Sequence, residues 1–225
     1  MATRPAFMVS EKSIQPLEKN INFTFHSGFH ITQKQRSIDE LHKSILNDFP
    51  NAKILEISSK SKQDLGVQLS AFNLKYTIGD KSFSVENIFQ SSKVLNTGGP
   101  YPDILNMSPK DAKRDPRIKV DLKNGINLQY FLFDGIKWEL NPKTAFYDWI
   151  YIKALCMNDY FNREIIKYDC FTDIEFNPKK SINCQARSAA LYVSLVRHNM
   201  LQNVIESKDL FLKIQSPKFQ QEKLF

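Results

Sequence analysis

Two long apolar helical patterns in the last third of the chain place the strongest constraint on its fold. The first covers residues 144–159, shortly after Pro142, and the second covers residues 183–200. Apolar residues recur every three to four positions in both segments, which places them on one face of a helix. Each apolar face must be buried against other parts of the chain, so the sequence predicts two core helices here.

Shorter segments elsewhere alternate apolar and polar residues, which is typical of half-buried strands. Residues 21–29 and 52–59 show this alternation, and two further strands flank a predicted turn at Gly79-Asp80. Residues 125–140 also favour strands. Because the strands are few and short beside the helices, the predicted fold class is α+β, helix-dominated, with a small β component.

Two more helices are predicted from the residues that begin them. Ser37 has the chemistry of an N-cap, Glu40 completes a capping box with it, and Pro50 ends the helix. Ser84 begins a second helix, which contains no Gly or Pro through Leu95.

The chain is expected to form one domain with an addition at each end. Residues 1–53 are assigned to an N-terminal extension, in which an irregular arm over residues 1–20 precedes a strand and a helix. Residues 54–205 are assigned to the main domain, and residues 206–225 to a helix and a basic tail. Apolar residues make up 42% of the 225, which is enough to bury a hydrophobic core.

Positive charge is concentrated in two stretches of a chain whose net charge is +7. Residues 110–123 contain six Lys or Arg and three acidic residues, and residues 179–225 contain eight and three. The simpler interpretation is a solvated face, and the other is a surface that contacts phosphates. No helix-turn-helix or zinc-finger pattern is present, so nucleic acid, if bound, is expected as a substrate.

Features missing from the sequence exclude several classes of function. Cys156, Cys170 and Cys184 stand 14 residues apart, which suits neither a CxxC metal site nor a disulfide framework. A reduced, cytoplasmic compartment and no metal are therefore predicted. Gly-rich phosphate loops are absent, so no cofactor is predicted. No apolar run approaches ~18 residues, so no membrane span is predicted.

Glu86, Gln90 and Lys93 are spaced i, i+4 and i+7 in the helix predicted from Ser84. This spacing places a carboxylate, an amide and an ammonium on one helical face, where the three groups suit chemistry on a ribose. The alternative is an exposed polar stripe that only stabilises the helix.

A second polar cluster covers residues 171–187, where a Pro-containing loop enters a predicted helix. It contains Asp173, Asn183, Gln185 and Arg187. Hydrogen-bonding groups in a loop before a helix suit the binding of an anion or a sugar. The alternative is loop solvation and helix capping.

Several segments in this order resemble the NADAR family, which has the YbiA-like fold. They are LGVQLSAFN (65–73), VENIFQSSK (85–93), SPKDAKRD (108–115), Asp148-Trp149 and TDIEFNPKKSINCQAR (172–187). The sequence is most similar to the NADAR antitoxins that are paired with guanine-specific DarT-type toxins, which attach ADP-ribose to guanine in DNA. The resemblance implies a single-domain YbiA-like fold and an ADP-ribosyl glycohydrolase. Its partners would be ADP-ribosylated guanine in DNA, the product ADP-ribose and the toxin with which it pairs.

The resemblance also implies roles for individual residues. Glu86 matches the catalytic glutamate of the family and is expected to act as base and acid. Lys93 is a candidate amine nucleophile that forms a Schiff base, with Lys60 as its rival. Asp173 is expected to hold ribose hydroxyls or to share the acid role. The residues expected to bind ADP-ribose are Lys60, Phe72, Asn73, Phe89, Gln90, Trp149, Phe176, Asn183, Gln185 and Arg187.

Two other functions stay open from the sequence. One is an N-glycosidase that acts on a ribosylamine phosphate of the riboflavin pathway, and the other is a non-catalytic module that binds ADP-ribose. The N-terminal extension and the basic C-terminal stretch favour DNA over a small metabolite, and the presence of Glu86 and Lys93 favours catalysis over binding alone.

Overall fold

Strands form three separate sheets in the part of the chain that the computed structural model describes, residues 1–28 and 30–216. The strands are β1 (Ala2–Met8), β2 (Leu17–Phe23), β3 (Ile54–Glu56), β4 (Lys75–Ile78), β5 (Lys81–Ser84), β6 (Lys93–Leu95), β7 (Leu128–Phe133), β8 (Ile136–Trp138) and β9 (Cys170–Thr172). The largest sheet has the order β2-β1-β9-β3, in which only β3 and β9 are parallel. The other two are the hairpin β4-β5 and the antiparallel sheet β6-β7-β8.

The helices surround these sheets and make the fold α+β. They are α1 (Ile31–Asp48), α2 (Asp64–Gln68), α3 (Val85–Ser91), α4 (Pro109–Ala112), α5 (Ala145–Cys156), α6 (Asp159–Ile165), α7 (Gln185–Arg197), α8 (Leu201–Glu206) and α9 (Lys208–Gln215). Short 3-10 helices cover Pro102–Asn106, Pro116–Ile118 and Leu122–Asn124. No helix within the described ranges is long and apolar enough to cross a membrane.

The two predicted core helices are confirmed as α5 and α7, which pack against each other. Nine of the twelve residues of α5 are buried, so this helix is apolar almost all round and lies at the centre of the main core. Ring contacts between Phe146 and the side chains of Phe89 and Phe131 join α5 to α3 and to β7. The main core therefore holds α3, the helix that carries Glu86 and Gln90, in place.

Residues 1–20 are not the irregular arm that the sequence predicted. They contain β1, which lies between β2 and β9 in the largest sheet, and the start of β2. Ala6, Phe7 and Met8 are all buried, so both faces of this part of β1 are covered. A strand covered on both faces lacks the alternation that reveals a half-exposed strand. The strand predicted over residues 21–29 ends at Phe23 and begins at Leu17.

Helix α1 begins six residues before the predicted capping box. His30 is its N-cap, and Ser37 lies inside the helix, where its hydroxyl accepts a hydrogen bond from the backbone N–H of His26 at 2.9 Å. Ile38, Leu41 and Ile45 of α1 form an apolar stripe, and all three side chains are buried against the largest sheet.

Helix α3 is shorter than predicted. It begins after Ser84, whose hydroxyl accepts a hydrogen bond from the backbone N–H of Asn87, and it ends at Ser91. The carbonyl groups of Ser91 and Ser92 accept hydrogen bonds from residues in other segments rather than from a following helical turn. Lys93 consequently starts strand β6, and the prediction that it lies on the helix is wrong.

At the C-terminal side, the predicted helix is present as α9. The predicted basic tail falls mostly on residues 217–225, which lie outside the described residues.

Candidate active site

A pocket of about 420 Å³ opens where the carboxyl ends of β3 and β9 meet the N-terminal end of α7 and one side of α3. This volume lies in the range of about 300–1,000 Å³ that is usual for small-molecule sites. The residues that line it are Ser58, Ser59, Ser70, Ala71, Phe72, Glu86, Phe89, Gln90, Lys113, Tyr147, Asp173, Glu175, Phe176, Asn177, Lys180, Ser181, Asn183 and Gln185.

Glu86 and Gln90 project from successive turns of α3 into this pocket, as their i, i+4 spacing predicted. The side-chain N–H of Gln90 (Nε2) donates to Oε1 of Glu86 at 2.8 Å. Glu86 is only 5% exposed. It lies in the first turn of α3, where the helix dipole favours a negative charge. The sequence therefore places a buried, oriented carboxylate against the cavity.

Two amide oxygens at the pocket are buried without a hydrogen-bond partner among the described residues. They are Oε1 of Gln90 and Oδ1 of Asn183, and both side chains line the pocket. The orientation of the Gln90 amide follows from its neighbour, because only the N–H end can face the oxygen of Glu86. An unpaired buried acceptor costs free energy, so both oxygens suit a ligand that brings hydrogen-bond donors.

Asp173 follows β9 directly and lines the same pocket. Its Oδ1 accepts hydrogen bonds from the backbone N–H groups of Glu175 and Phe176 at 3.0 and 3.2 Å. Burial, and the nearby carboxylate of Glu56 on β3, raise the pKa of Asp173. Burial likewise raises the pKa of Glu56. Two buried carboxyl groups that repel each other in this way favour the protonation of at least one of them over two full charges.

Gln185, the first residue of α7, connects three walls of the pocket. Its Oε1 accepts a hydrogen bond from the backbone N–H of Ala71 at 2.7 Å. Its Nε2 donates to the carbonyl of Ile57 at 2.7 Å and to Oδ2 of Asp173 at 3.0 Å. The prediction placed Gln185 among the ligand-binding residues, whereas these hydrogen bonds fix the position of Asp173 and the wall beside it.

Gly66 accounts for the position of the wall formed by residues 70–72. A Cβ atom at Gly66 would lie 2.0 Å from the carbonyl oxygen of Glu56, so only glycine allows α2 to pack this closely on β3. The chain that leaves α2 then carries Ser70 and Phe72 to the pocket.

Within the described part of the chain, four aromatic side chains line the pocket. Phe72, Phe89 and Phe176 were predicted and all three line it. Tyr147 on α5 also lines the pocket and was missed. Its ring contacts that of Phe89 edge to face, with centroids 5.2 Å apart. Burial, together with the charge of Glu86, raises the pKa of the Tyr147 hydroxyl, which therefore stays a hydrogen-bond donor.

Lys93 lies next to the pocket although it is not on the helix. It is not among the residues that line the pocket, but its Nζ lies 5.3 Å from the ring centroid of Phe89. Burial lowers the pKa of Lys93 to about 8, with a further lowering from Lys113 that the carboxylate of Glu86 opposes. The side chain thus has the reduced basicity that an amine nucleophile requires.

Besides Lys93, four predicted site residues do not line the pocket, and three of these four have partners elsewhere. Lys60 follows two serines that do line it. The side-chain N–H of Asn73 donates to the carbonyl of Val67 at 2.9 Å. Trp149 packs against other aromatic rings of the core. Arg187 forms an ion pair with buried Asp148.

Charged residues at the pocket mouth were not selected from the sequence as site residues. Lys113 lies over the ring of Phe72, with Nζ 5.3 Å from the centroid, and Lys180 lines the pocket from the loop before α7. Glu175 also lines it and forms an ion pair with Lys34 of α1 at 3.0 Å. Lys113 and Lys180 give the pocket mouth a positive side that suits a ligand carrying phosphates.

Comparison with known proteins identifies one family. Residues 2–224 match the family model described as DarT1-associated NADAR antitoxin. A search of curated proteins returned no match.

Proposed function

The chain belongs to the DarT1-associated NADAR antitoxin family, and we propose that it hydrolyses the bond between ADP-ribose and guanine in DNA. Removal of that group would reverse the modification made by the toxin with which the antitoxin is paired. The family membership supports the antitoxin role, and the chemistry is inferred from the pocket.

One observation carries the proposal: a buried carboxylate and two unpaired amide oxygens face the same aromatic-walled cavity. Glu86 supplies the carboxylate, and Gln90 and Asn183 supply the oxygens. ADP-ribose offers ribose hydroxyls and an amino group as donors to those oxygens, and a flat base to the aromatic walls. Its diphosphate is matched by the lysines at the pocket mouth.

Hydrolysis breaks the bond between the anomeric carbon of the ribose and the guanine nitrogen. Water adds its oxygen to that carbon, one water proton is lost to a base, and the guanine nitrogen gains a proton. The anomeric carbon passes through an oxocarbenium-like state, which a nearby carboxylate stabilises. We assign Glu86 as the base and as the group that stabilises this state. Asp173 holds a ribose hydroxyl or supplies the proton to guanine.

A covalent variant of the same reaction uses Lys93. In the ring-opened sugar, the neutral amine adds to the anomeric carbon and the carbon–guanine bond breaks, which leaves a Schiff base and protonated guanine nitrogen. Water then cleaves the Schiff base to return the amine and the aldehyde form of ADP-ribose. The lowered pKa of Lys93 and its position beside Phe89 favour it over Lys60.

The test is incubation of the purified protein with oligonucleotides ADP-ribosylated on guanine, with thymine-modified oligonucleotides as the control. Gel mobility and mass spectrometry would follow the loss of ADP-ribose. Release from guanine alone is expected. No release, with tight binding of ADP-ribose, would favour the binding module instead. Turnover of a ribosylamine phosphate with no action on either oligonucleotide would favour the metabolite N-glycosidase.

A further inference from the structure

The basic stretch over residues 110–123 extends from the pocket mouth, and the reaction proposed above does not use most of it. Resting on that proposed function, we infer that Lys110 and Arg114 bind the phosphates of the DNA strand that carries the modified guanine, beside Lys113, which meets the diphosphate of ADP-ribose at the pocket mouth. These three residues are called the α4 basic face.

The local backbone places the three cations side by side. Lys113 is the C-cap of α4 and keeps right-handed helical angles, and its N–H donates to the carbonyl of Pro109 at 3.1 Å. Residues 110, 113 and 114 therefore follow the i, i+3, i+4 spacing of one helical face. Ala112 is fully buried against Ile104 and Ile118. Helix α4 therefore packs against the protein through a different face from the one that carries the three cations.

Nearby carboxylates do not neutralise the α4 basic face. Within the described ranges, no carboxylate lies within 4.0 Å of a charged atom of these three side chains. Asp111 accepts a hydrogen bond from the Ser108 hydroxyl at 2.6 Å. The other two acidic residues of the segment have partners too, because Asp115 forms an ion pair with Arg117 and Asp121 accepts a hydrogen bond from the side chain of Asn124 at 2.9 Å.

The position of the face relative to the pocket indicates a polymer rather than a free nucleotide. Lys113 lines the pocket mouth, whereas Lys110 and Arg114 do not line the pocket and are exposed beside it. Of the three residues in the α4 basic face, a ligand confined to the pocket meets only Lys113. A strand whose modified base occupies the pocket continues beyond the mouth, and its next phosphates meet the other two cations.

The double variant Lys110→Ala/Arg114→Ala tests the inference, with Lys12→Ala/Lys53→Ala as its control. The control removes the same charge from two exposed residues, Lys12 in the β1–β2 turn and Lys53 before the amino end of β3, whereas the pocket lies at the carboxyl end of β3. The β1–β2 turn lies beside the C-terminal end of α7, because His198 bonds to the carbonyl of Ser10 at 3.0 Å. The pocket lies at the other end of α7, about 20 Å away for a 13-residue helix.

Binding of a fluorescent, unmodified single-stranded oligonucleotide should be measured across a salt series, beside hydrolysis of an ADP-ribosylated guanosine mononucleotide. Loss of two phosphate contacts should lower the slope of log K against log salt by about 1.4 and weaken binding about 25-fold at 0.1 M salt. The double variant should hydrolyse the mononucleotide at the wild-type rate. The control variant should bind the oligonucleotide with wild-type affinity and salt dependence.

Two kinds of outcome would overturn the inference. Unchanged oligonucleotide binding, or an equal loss in the control variant, shows that these residues do not contact phosphates. Lost binding to polyglutamate with retained oligonucleotide binding indicates an acidic protein partner instead. If the wild-type protein hydrolyses neither modified substrate, the proposed function fails, while the salt series still reports on the α4 basic face.

Discussion

Two buried polar clusters lie at the N-terminal half of α7, and they differ in whether their hydrogen bonds are complete. The pocket cluster consists of Glu86, Gln90, Asp173, Asn183 and Gln185. The brace cluster consists of Gln15, Asp148, Arg187, Ser188 and Gln215.

In the brace cluster, the charged groups are surrounded by protein partners. Asp148 is 1% exposed and accepts from Ser188 at 2.6 Å, from Gln215 at 2.9 Å and from Arg187. Arg187 also donates to Gln15 at 2.9 Å. These contacts join the β1–β2 turn and α9 to the central helices. A buried ion pair with its hydrogen bonds satisfied within the protein has no need of a ligand.

In the pocket cluster, the oxygens of Gln90 and Asn183 have no partner among the described residues. Both clusters contain carboxylates, amides and a nearby cation, so their composition does not separate them. The difference indicates that the pocket cluster is organised for a ligand and the brace cluster for the fold.

The largest expected effect is loss of turnover in the pocket cluster. Glu86→Gln keeps the size of the side chain and an oxygen that can accept from Gln90, but it removes the charge, so hydrolysis should slow by about 100- to 10,000-fold. The melting temperature should stay close to that of the wild-type protein. Glu175→Gln is the matched control, since that carboxylate is at the rim and pairs with Lys34. A wild-type rate in Glu86→Gln would remove Glu86 from the mechanism.

A large effect on stability is expected from the brace cluster. Arg187→Ala leaves the buried charge of Asp148 without its cation, which should cost about 3 kcal/mol and lower the Tm by about 6–12 °C. At a temperature where the variant is folded, its Kd for ADP-ribose should equal that of the wild-type protein. Thermal unfolding and calorimetric titration would check both. A weakened Kd with an unchanged Tm would instead place Arg187 in the binding site, as the sequence suggested.

A smaller effect concerns the pH dependence of the covalent route. With a pKa of about 8, Lys93 is about one-tenth neutral at pH 7 and mostly neutral at pH 9. Because the neutral amine is the nucleophile, the single-turnover rate should rise about tenfold over this interval and then level off.

Borohydride added during turnover should trap an adduct on Lys93, and Lys60→Ala should leave both the trapping and the pH profile unchanged. An adduct on Lys60, or full activity without any adduct, would contradict the role of Lys93.

The smallest effect is expected from a single unpaired oxygen. Asn183→Ala removes one acceptor from the pocket and should weaken the binding of ADP-ribose about fivefold, which corresponds to about 1 kcal/mol. Stability should not fall, because no protein hydrogen bond to that oxygen is lost. Asn73→Ala is the comparison: it should lower the Tm without changing the Kd, since the Asn73 side chain bonds to the backbone of Val67.

The sequence patterns were a good guide to the segments that form the site, but a poorer guide to which side chains in those segments face the pocket. Gln185 and Arg187 are two residues apart, and so are Tyr147 and Trp149. Two positions on a helix differ by about 200°, so each pair points to opposite sides. One member of each pair lines the pocket and the other packs away from it. Motif matching alone cannot choose between them.

Long-range contacts explain the remaining differences. The sequence predicted a helix through Leu95 because no Gly or Pro interrupts it, but pairing with β7 converts Lys93–Leu95 to a strand. Similarly, the buried strand β1 lacks a visible alternation because both of its faces are covered. The α+β class, the start of α3 and the core helices α5 and α7 were predictable, since each depends on local caps or on strong apolar periodicity.

The most direct test of the comparison between the two clusters is a crystal structure of the protein with ADP-ribose. We expect the ligand in the pocket beside Glu86, with donor groups within about 3.2 Å of Oε1 of Gln90 and Oδ1 of Asn183 and with the brace cluster unchanged. ADP-ribose bound elsewhere, or bound in the pocket while both oxygens stay unpaired, would contradict the account.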